Sequence, residues 1–392
     1  MRASIENGKL FVCLEGRIDS TNAVETQRRI DDALAAHPGC ELVLDAGALE
    51  YISSAGLRVL QQLFRAQGRL TVQNVSPEIY DIFEMTGFTS LLDVKRKLRE
   101  ISVEGCEVVG RGAIGTVYRV DEDTIVKVYE QPDSLPMIEN EQRRAKQAFL
   151  KGIPTAISYD IVKVGDKYGS VFELLKSKTY NDLAVENPER LDEIVLDYAR
   201  FIRGVHAFEM DRGELPAARD VFLEYIDALQ DILGDLAPRL RGLLVAMPEN
   251  LHVVHGDIQM KNVMLSGDEP LLIDMDTLSV GDPVFDLMGP YVTYVQFNED
   301  EPTNSDTFLG LPKAACDVIW EKLLAGYFEN RDAGVIAEAE RRIVIVACVR
   351  FLFLLCVLNI GNPQLKQLRV AHTLDHLRAL LGQVETLEIG TL

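Results

Sequence analysis

Residues 252–278, which read HVVHGDIQMKNVMLSGDEPLLIDMDTL, hold the polar side chains best spaced to do chemistry. A short apolar run leads into His255 and Asp257, and Asn262 follows five positions after that aspartate. A second apolar run ends at Asp274. In phosphoryl transfer one carboxylate takes the proton of the acceptor hydroxyl, while an amide oxygen and a second carboxylate hold Mg²⁺ on the nucleotide phosphates. This spacing therefore predicts Asp257 as catalytic base, and Asn262 and Asp274 as metal ligands.

Three glycines in residues 107–120 (EVVGRGAIGTVYRV) predict a loop that covers nucleotide phosphates. They are Gly110, Gly112 and Gly115. The same spacing occurs in dinucleotide-binding proteins, where a helix begins at the glycines. Here the β-type run TVYRV follows, then a turn and a second strand-like run, TIVKVYE. This order favours a hairpin of the protein-kinase type.

Lys127 lies in that second run, at the strand position whose ammonium group pairs with the α- and β-phosphates of a nucleotide. Such a lysine needs a carboxylate partner on the next helix, which the sequence predicts at about residues 136–151. Glu141 lies on the apolar face of that helix and Glu139 does not. We therefore predict that Glu141 pairs with Lys127. Further along, Glu173 and Leu175 lie where a kinase passes between its lobes and offers backbone groups to adenine.

The two motifs HGDIQMKN (255–262) and LLIDMDTLSVGDPVFDL (271–287) resemble those of the aminoglycoside phosphotransferase and choline kinase group. The resemblance covers roughly residues 104–390. It implies an α+β, bilobal, protein-kinase-like domain, with one lobe at residues 99–180 and the other at 181–392. It also implies ATP and Mg²⁺ as cofactors, and His255, Asp276 and Asp286 as structural support for the catalytic loop.

Two features favour a small-molecule acceptor over a protein acceptor. The loop reads His-Gly-Asp, so the arginine that pairs with a phosphorylated activation loop in protein kinases is missing. GDPVFDL follows Asp274 within about a dozen residues, which leaves no room for an activation segment. A degenerate, inactive relative would keep the fold, but such proteins usually lose at least one of the residues named above, and here all are present.

Residues 1–98 alternate between strand-like and helix-like runs, which predicts a small α/β domain. Strands are expected at residues 8–18, 41–45 and 70–75, and helices at 21–37, 54–66 and 77–85. Pro77 stands at the start of the last helix, a position that proline favours.

Five short segments of this domain resemble the STAS domains of anti-sigma-factor antagonists. They are LEGRID (14–19), LVLDA (42–46), YISSAGLRVL (51–60), NVS (74–76) and FEMTGF (83–88). The resemblance implies phosphorylation at Ser54 and a protein partner of the anti-sigma type. Ser53 stands where phosphorylated members usually carry aspartate. From the residues alone, Ser54 is equally an ordinary helix N-cap, and a phosphate there would also be favoured by the helix dipole.

Composition limits the classes of function. The net charge of −21 argues against binding to nucleic acid or to an anionic membrane, and most of it falls after residue 100. Solubility explains that charge, and a cationic substrate is the alternative. Six scattered cysteines without metal-site spacing, and an N-terminus without a signal-peptide pattern, predict a cytoplasmic protein with reduced thiols.

Two helical stretches carry charge in unusual ways. Residues 343–360 are apolar enough to raise the question of a membrane span, but Arg350 at their centre favours a buried helix. Asp220, Glu224, Asp227 and Asp231 share one helical stripe, which is either a solvated face or the rim of an acceptor site.

The sequence thus predicts an ATP- and Mg²⁺-dependent phosphotransferase that acts on a hydroxyl of a small, perhaps cationic, molecule, with a STAS domain for regulation or docking. The alternative is a signalling protein, whose STAS domain binds an anti-sigma-type partner. Its kinase-like domain then senses nucleotide or phosphorylates a protein serine, Ser54.

Overall fold

The computed structural model describes residues 2–6, 8–112, 114–175, 177–267 and 269–390. These residues form two compact units. The first contains the described residues up to Ser102 together with Val162–Gly165, and the second contains Val103–Ile161 and the described residues from Asp166 onward. The predicted lobe boundary at residue 180 stays a prediction.

The first unit is an α/β domain with one sheet. Its strands are β1 (Ala3–Glu6), β2 (Lys9–Ile18), β3 (Glu41–Ile52), β4 (Thr71–Val75), β5 (Asp93–Arg96) and β6 (Arg99–Glu100). Its helices are α1 (Ala23–Ala36), α2 (Ser54–Gln67), α3 (Pro77–Met85) and α4 (Phe88–Leu91). Strands β1 to β5 lie side by side in chain order. Strand β1 runs antiparallel to β2, and the later pairs are parallel. Strand β6 pairs in parallel with Val162–Lys163, which groups that segment with this unit.

Strand β3 is longer than the sequence predicts, because its second half reads Ala-Gly-Ala and has weak strand propensity. Pairing with β2 overrides that propensity. The two strands stay paired up to Ile18 and Ile52, with irregular register near Gly16. The longer strand carries the chain directly to the start of α2.

The second unit begins with an antiparallel sheet and one long helix. Its first elements are β7 (Glu107–Arg111), β8 (Gly115–Arg119), β9 (Thr124–Tyr129), α5 (Leu135–Leu150) and β11 (Lys167–Glu173). Strand β10 (Asp160–Val164) precedes β11, and its residues from Val162 onward belong to the first unit. Strands β7, β8, β9 and β11 pair antiparallel in the order β11-β9-β8-β7. Helix α5 buries Ile138, Glu141, Ala145 and Ala148, whereas Phe149 is exposed.

The remainder is mostly helical. Short strands and helices alternate first: β12 (Lys178–Thr179), α6 (Tyr180–Glu186), α7 (Leu191–His206), α8 (Ala218–Ala228), α9 (Gln230–Leu233), α10 (Ala237–Ala246), β13 (Val253–Val254), β14 (Val263–Ser266), β15 (Glu269–Leu272) and β16 (Ser279–Val280). The last helices are α11 (Val284–Tyr291), α12 (Phe297–Glu299), α13 (Asn304–Phe308), α14 (Lys313–Tyr327), α15 (Ala333–Cys356) and α16 (Lys366–Leu381). Strand β14 pairs with β12 and β15, and β13 pairs with β16.

Helix α15 forms the centre of this helical part. It begins ten residues before the apolar stretch seen in the sequence, and Ile343–Val349 are buried within it. The buried-helix prediction is confirmed. Within the described part of the chain, no helix has both the length and the apolarity of a membrane span.

Candidate active site

Lys127 and Glu141 meet inside the second unit. Lys127 projects from β9 and Glu141 from α5, and Lys127 Nζ lies 3.5 Å from Glu141 Oε1. Tyr129, two residues further along β9, donates its hydroxyl to Glu141 Oε2 at 2.6 Å. Lys127 also bonds Asp274. Burial opposes the charge of Lys127, but Asp274 and Glu141 outweigh it and raise the pKa of the ammonium group above its usual value. The lysine therefore stays charged at neutral pH.

A β-hairpin brings Asn262 and Asp274 side by side. Strands β14 and β15 pair with Val263 opposite Leu272, so the residues just before β14 and just after β15 lie at the same end of the hairpin. The Ile273 N–H donates to the carbonyl of Asn262 at 3.0 Å, which closes that end. Asp274 has φ +65° and ψ +62°, a left-handed conformation that is costly for a residue other than glycine. Such strain is concentrated at functional sites.

Asp257 is held by two amide side chains. Asn262 Nδ2 donates to Asp257 Oδ2 at 2.9 Å and to the Asp257 carbonyl at 2.8 Å. Gln259 Nε2 lies 3.2 Å from Asp257 Oδ2. Asn262 is buried and Asp257 is half-buried. The carboxylate is thus fixed in direction while part of it stays open to solvent. The part played by Gln259 was missed from the sequence, although it lies only two residues from Asp257.

Asp286 secures the loop that carries Asp257. Its fully buried carboxylate accepts the backbone N–H groups of His255, at 2.8 Å, and Gly256. His206 Nε2 lies 2.8 Å from the same carboxylate, and His206 Nδ1 lies 2.8 Å from the hydroxyl of Tyr327. The sequence offered no signal for His206 or Tyr327, because each lies far along the chain from the motifs.

His255 and Gly256 complete that loop. His255 is buried, and its Nε2 lies 2.9 Å from the carbonyl of Ile273, which ties the loop to the hairpin. Gly256 has φ +82°, and a Cβ there would come within 2.9 Å of the Thr277 carbonyl. A side chain at this position would be both strained and crowded, which explains the glycine of His-Gly-Asp.

The three predicted phosphate-loop glycines lie in the hairpin of β7 and β8, as predicted from the strand-like runs around them. Gly112 donates its N–H to the Gly115 carbonyl at 2.9 Å, and Ala113 lies outside the described residues. A Cβ on Gly115 would approach the Val128 carbonyl to 2.5 Å, whereas those on Gly110 and Gly112 would meet nothing closer than 3.6 Å and 3.8 Å. Close packing of β8 on β9 therefore gives Gly115 a structural reason to be glycine.

Glu173 and Leu175 lie at the end of β11. Glu173 is exposed and opposite Thr124, and the Leu174 N–H donates to the Asp123 carbonyl at 2.7 Å. Neither of the two predicted residues has a recorded bond to Lys127, Glu141 or Asp274 in the described part of the chain. Their predicted role toward adenine stays a prediction.

Comparison with known families identifies the larger part of the chain. Residues 105–306, just over half of the sequence, match the model of the phosphotransferase enzyme family APH. The chain belongs to this family. The resemblance inferred from HGDIQMKN and GDPVFDL is therefore confirmed, as is the kinase-like fold class.

Solved structures resemble this family member over most of their length. The apo form of a thermostable mutant of aminoglycoside phosphotransferase APH(4)-Ia is 14% identical, with a TM-score of 0.49, over 71% of this chain and 94% of that chain. ADP-bound aminoglycoside phosphotransferase APH(2'')-Ib is 16% identical, with a TM-score of 0.47, over 76% and 97%. A choline/ethanolamine kinase family protein from Mesorhizobium loti is 15% identical, with a TM-score of 0.44, over 70% and 87%.

The N-terminal part of this phosphotransferase family member is a STAS domain, which matches at residues 1–101. BtrV of Bordetella bronchiseptica, provisionally named as an anti-sigma factor antagonist, is 39% identical over 93 residues. That match covers 22% of this chain and 78% of BtrV. The predicted STAS resemblance is confirmed.

Within the STAS domain the structure corrects the position of the helix cap. The cap of α2 is Ser53, whose Oγ accepts the N–H groups of Ala55 at 3.2 Å and Gly56 at 3.5 Å. Ser54 is the first residue of the helix, and it is exposed. Reading Ser54 as an ordinary N-cap is therefore wrong. Its hydroxyl has no recorded protein partner among the described residues.

Asp276 lies in a turn after Asp274 and lines a cavity of about 180 Å³. Burial and the charge of Asp274 raise the pKa of the Asp276 carboxyl to about 6. Its backbone carbonyl accepts Nη1 of Arg144 from α5. Asp276 therefore links α5 to the turn that follows Asp274, and the structural role predicted for it stays a prediction.

The acidic stripe of Asp220, Glu224, Asp227 and Asp231 faces solvent. Asp220 and Asp227 pair with the nearby arginines Arg219 and Arg241. None of the four carboxylates lines the cavity beside Asp276. The stripe is thus the solvated face that the charge pattern allowed. Within the described residues, no group of three or more His, Cys, Asp or Glu could hold a metal ion.

Proposed function

We propose that the protein transfers the γ-phosphate of ATP to a hydroxyl group of a small molecule, with its STAS domain serving for regulation or docking. One observation carries this proposal. Lys127 contacts both Glu141 of α5 and Asp274, while Asn262, at the same end of the hairpin as Asp274, bonds Asp257. These are the positions that phosphoryl transfer needs.

Asp257 is the proposed general base. The hydrogen bonds from Asn262 and Gln259 aim its carboxylate, and the rest of that carboxylate can accept the proton of an acceptor hydroxyl. Asp286 contributes indirectly, because its carboxylate fixes the backbone N–H groups of His255 and Gly256 just before Asp257. Lys127, kept in place by Glu141, binds nucleotide phosphates and orients them for in-line transfer.

Asn262 and Asp274 are the proposed ligands of Mg²⁺. Amide and carboxylate oxygens are the hard donors that suit this ion, which commonly takes one or two protein ligands and completes its shell with phosphates and water. The donor set at this end of the hairpin fits that preference. When bound, Mg²⁺ supplies positive charge that neutralises the transferring phosphoryl group.

Transfer of labelled phosphate tests the proposal. The purified full-length protein is incubated with γ-labelled ATP and Mg²⁺ and a panel of amino alcohols, aminoglycosides, hydroxy acids and sugar phosphates. We expect label on at least one acceptor, and a fall of about a hundred- to ten-thousand-fold in Asp257→Asn. Asp231→Asn, which makes the same chemical change on the exposed α9, should keep full activity. Equal rates in the two variants would remove Asp257 from the mechanism.

A protein acceptor is the second candidate, because Ser54 is exposed and the neighbouring Ser53 does the capping. Phosphate at Ser54 would add nearly two negative charges at the start of α2, where the helix dipole favours them. Label on the protein itself, lost in both Ser54→Ala and Asp257→Asn, would support self-modification. ATP binding without any transfer would instead favour a nucleotide-sensing signalling protein with an anti-sigma-type partner.

A further inference from the structure

The cavity beside Asp276 touches both the catalytic motifs and the helices outside them. Gly256, Asp276 and Thr277 form its motif side. Helix α8 contributes a stripe of four residues, Ala218, Val221, Phe222 and Tyr225, and the other walls include Arg144 and Arg350. Residues outside the family motifs can therefore help to select the molecule that binds in this cavity.

Two guanidinium groups line this cavity, against one carboxylate. Arg144 donates Nη1 to the Asp276 carbonyl, while its Nε is buried and has no protein partner among the described residues. Burial lowers the pKa of Arg144, and Asp276 only partly compensates. A buried donor without a partner is costly, and an anion placed in the cavity would relieve that cost.

Arg350 reaches the cavity from the centre of the apolar helix α15. Its Nη1 donates to the hydroxyl of Tyr225 at 2.8 Å, and its guanidinium carbon lies 5.5 Å from the centre of the Tyr225 ring. Tyr225 stacks on Phe353, with ring centres 3.9 Å apart. Arg350 is therefore held by a neutral, rigid support that leaves its other N–H groups without a recorded protein acceptor.

Arg369, another buried arginine of this unit, differs from Arg144 and Arg350 in having a carboxylate partner. Arg369 is fully buried and pairs with the carboxylate of Glu301 at 2.8 Å and with the carbonyl of Phe297 at 2.9 Å, although its Nε and Nη1 also have no protein partner among the described residues. Neither Arg144 nor Arg350 has a carboxylate ion-pair partner among the described residues. Guanidinium groups with open N–H donors are well suited to bind carboxylate or phosphate in a bidentate manner.

We propose that this cavity binds an anionic group, a carboxylate or a phosphate, between Arg144 and Arg350. Which molecule carries this anionic group rests on the proposed function. The group belongs to the hydroxyl-bearing acceptor, and its binding places that acceptor next to the loop of Gly256 and Asp257. A cationic acceptor, the alternative that the net charge of the chain leaves open, would face two like charges here.

Calorimetric titration of the full-length protein tests the site apart from catalysis. The probes are inorganic phosphate, glycerate and, as a cation, choline. We expect one or both anions to bind, and Arg350→Gln to weaken that binding at least about tenfold. Arg378→Gln, which removes the same charge from an exposed position, should leave the affinity unchanged. Lys127→Met should also retain the binding, which separates this site from the predicted phosphate anchor.

The Tyr225→Phe variant provides a second test of the site in case Arg350→Gln does not fold. It keeps the ring and removes the hydroxyl that holds Arg350, so anion affinity should fall by a smaller factor. Glycerate binding without phosphate binding would assign a carboxylate, and the converse a phosphate. Unchanged anion affinity in Arg350→Gln, no binding of either anion at millimolar concentration, or binding of choline alone would overturn the proposal.

The two proposals fail in different ways. If anions bind through Arg350 but no acceptor in the labelled-ATP assay is phosphorylated, the anion site stands and phosphoryl transfer falls. If cationic amino alcohols are phosphorylated equally well by the wild type and Arg350→Gln, the proposal of phosphoryl transfer is supported and the proposal of an anion site for the acceptor is contradicted.

Discussion

Asp286 offers a direct test of how the loop that carries Asp257 is held. Its carboxylate receives two backbone N–H groups, from His255 and Gly256, and lies beside His206 Nε2 in a fully buried position. Asparagine at this position has the same shape but only one acceptor oxygen. Its amide N–H₂ group must face one of the donors that the carboxylate now satisfies, so Asp286→Asn leaves at least one buried N–H without a partner.

The cost of this substitution follows from the contacts. An unsatisfied buried donor costs about 1–3 kcal/mol, and the hydrogen bonds that remain lose the strengthening that a charged acceptor gives. Breaking a buried charged cluster by changing one member typically costs about 3–5 kcal/mol. We therefore expect Asp286→Asn to lower the free energy of unfolding of the second unit by about 3–5 kcal/mol, and phosphoryl transfer to fall with it.

Urea unfolding followed by tryptophan fluorescence measures this effect. Trp320 is the single tryptophan of the sequence and lies in α14, so its emission reports on the second unit alone. Asp231→Asn on the exposed α9 is the matched control, and its transition should shift by less than about 0.5 kcal/mol. A transition of Asp286→Asn that coincides with that of the control would refute the bracing role and the energies assigned to it.

Two further pairs of substitutions test local assignments. Ser53→Ala should weaken the start of α2 by about 1 kcal/mol, seen as roughly fivefold faster hydrogen exchange of its first-turn amides, whereas Ser54→Ala should leave exchange unchanged. The reverse order would restore Ser54 as the cap. Gly115→Ala should destabilise the second unit by about 1–3 kcal/mol through crowding against β9, while Gly112→Ala should leave the Trp320 transition in place. Equal stability of the two glycine variants would contradict the close packing described for Gly115.

Elements with local signals could be predicted from the sequence. Helix α3 begins at Pro77 and ends at Met85 as expected, because proline fits the first helical position and Ser76 accepts the N–H of Ile79 at 3.4 Å. Features that depend on distant pairing could not. Strand β3 runs to Ile52 because β2 pairs with it along its length, and no local pattern marks that extension.

The two adjacent serines show the same limit at the scale of one residue. Both Ser53 and Ser54 have hydroxyls able to cap α2, and the sequence does not distinguish them. The choice depends on the backbone angles with which the chain leaves β3. Ser53 has φ −94° and ψ 175°, an extended conformation that turns its Oγ toward the first helical N–H groups. That conformation is a product of the sheet, so only the fold could assign the cap.

At the candidate site, sequence spacing identified residues that lie close together along the chain. It missed residues that come to the site from distant parts of the chain. Asn262 and Asp274 belong to one hairpin, and the helical period separated Glu141 from the exposed Glu139. Those residues were therefore visible in the sequence, and their catalytic roles stay predictions. His206 contacts Asp286 from a helix eighty positions earlier. Its placement depends on the packing of α7, which no motif encodes.

The proposed anion site gives the acceptor the opposite charge to the one that composition left open. A net charge of −21 is explained by solubility and left a cationic acceptor as the alternative, but net charge counts side chains without regard to direction. The carboxylates of α8 and α9 point to solvent, where water and salt screen them. Arg144 and Arg350, by contrast, line the cavity itself, where a bound group would meet them directly. Arg350 was visible in the sequence as a charge inside an apolar helix, and its contact with Tyr225 turns that anomaly into a prediction of what the cavity binds.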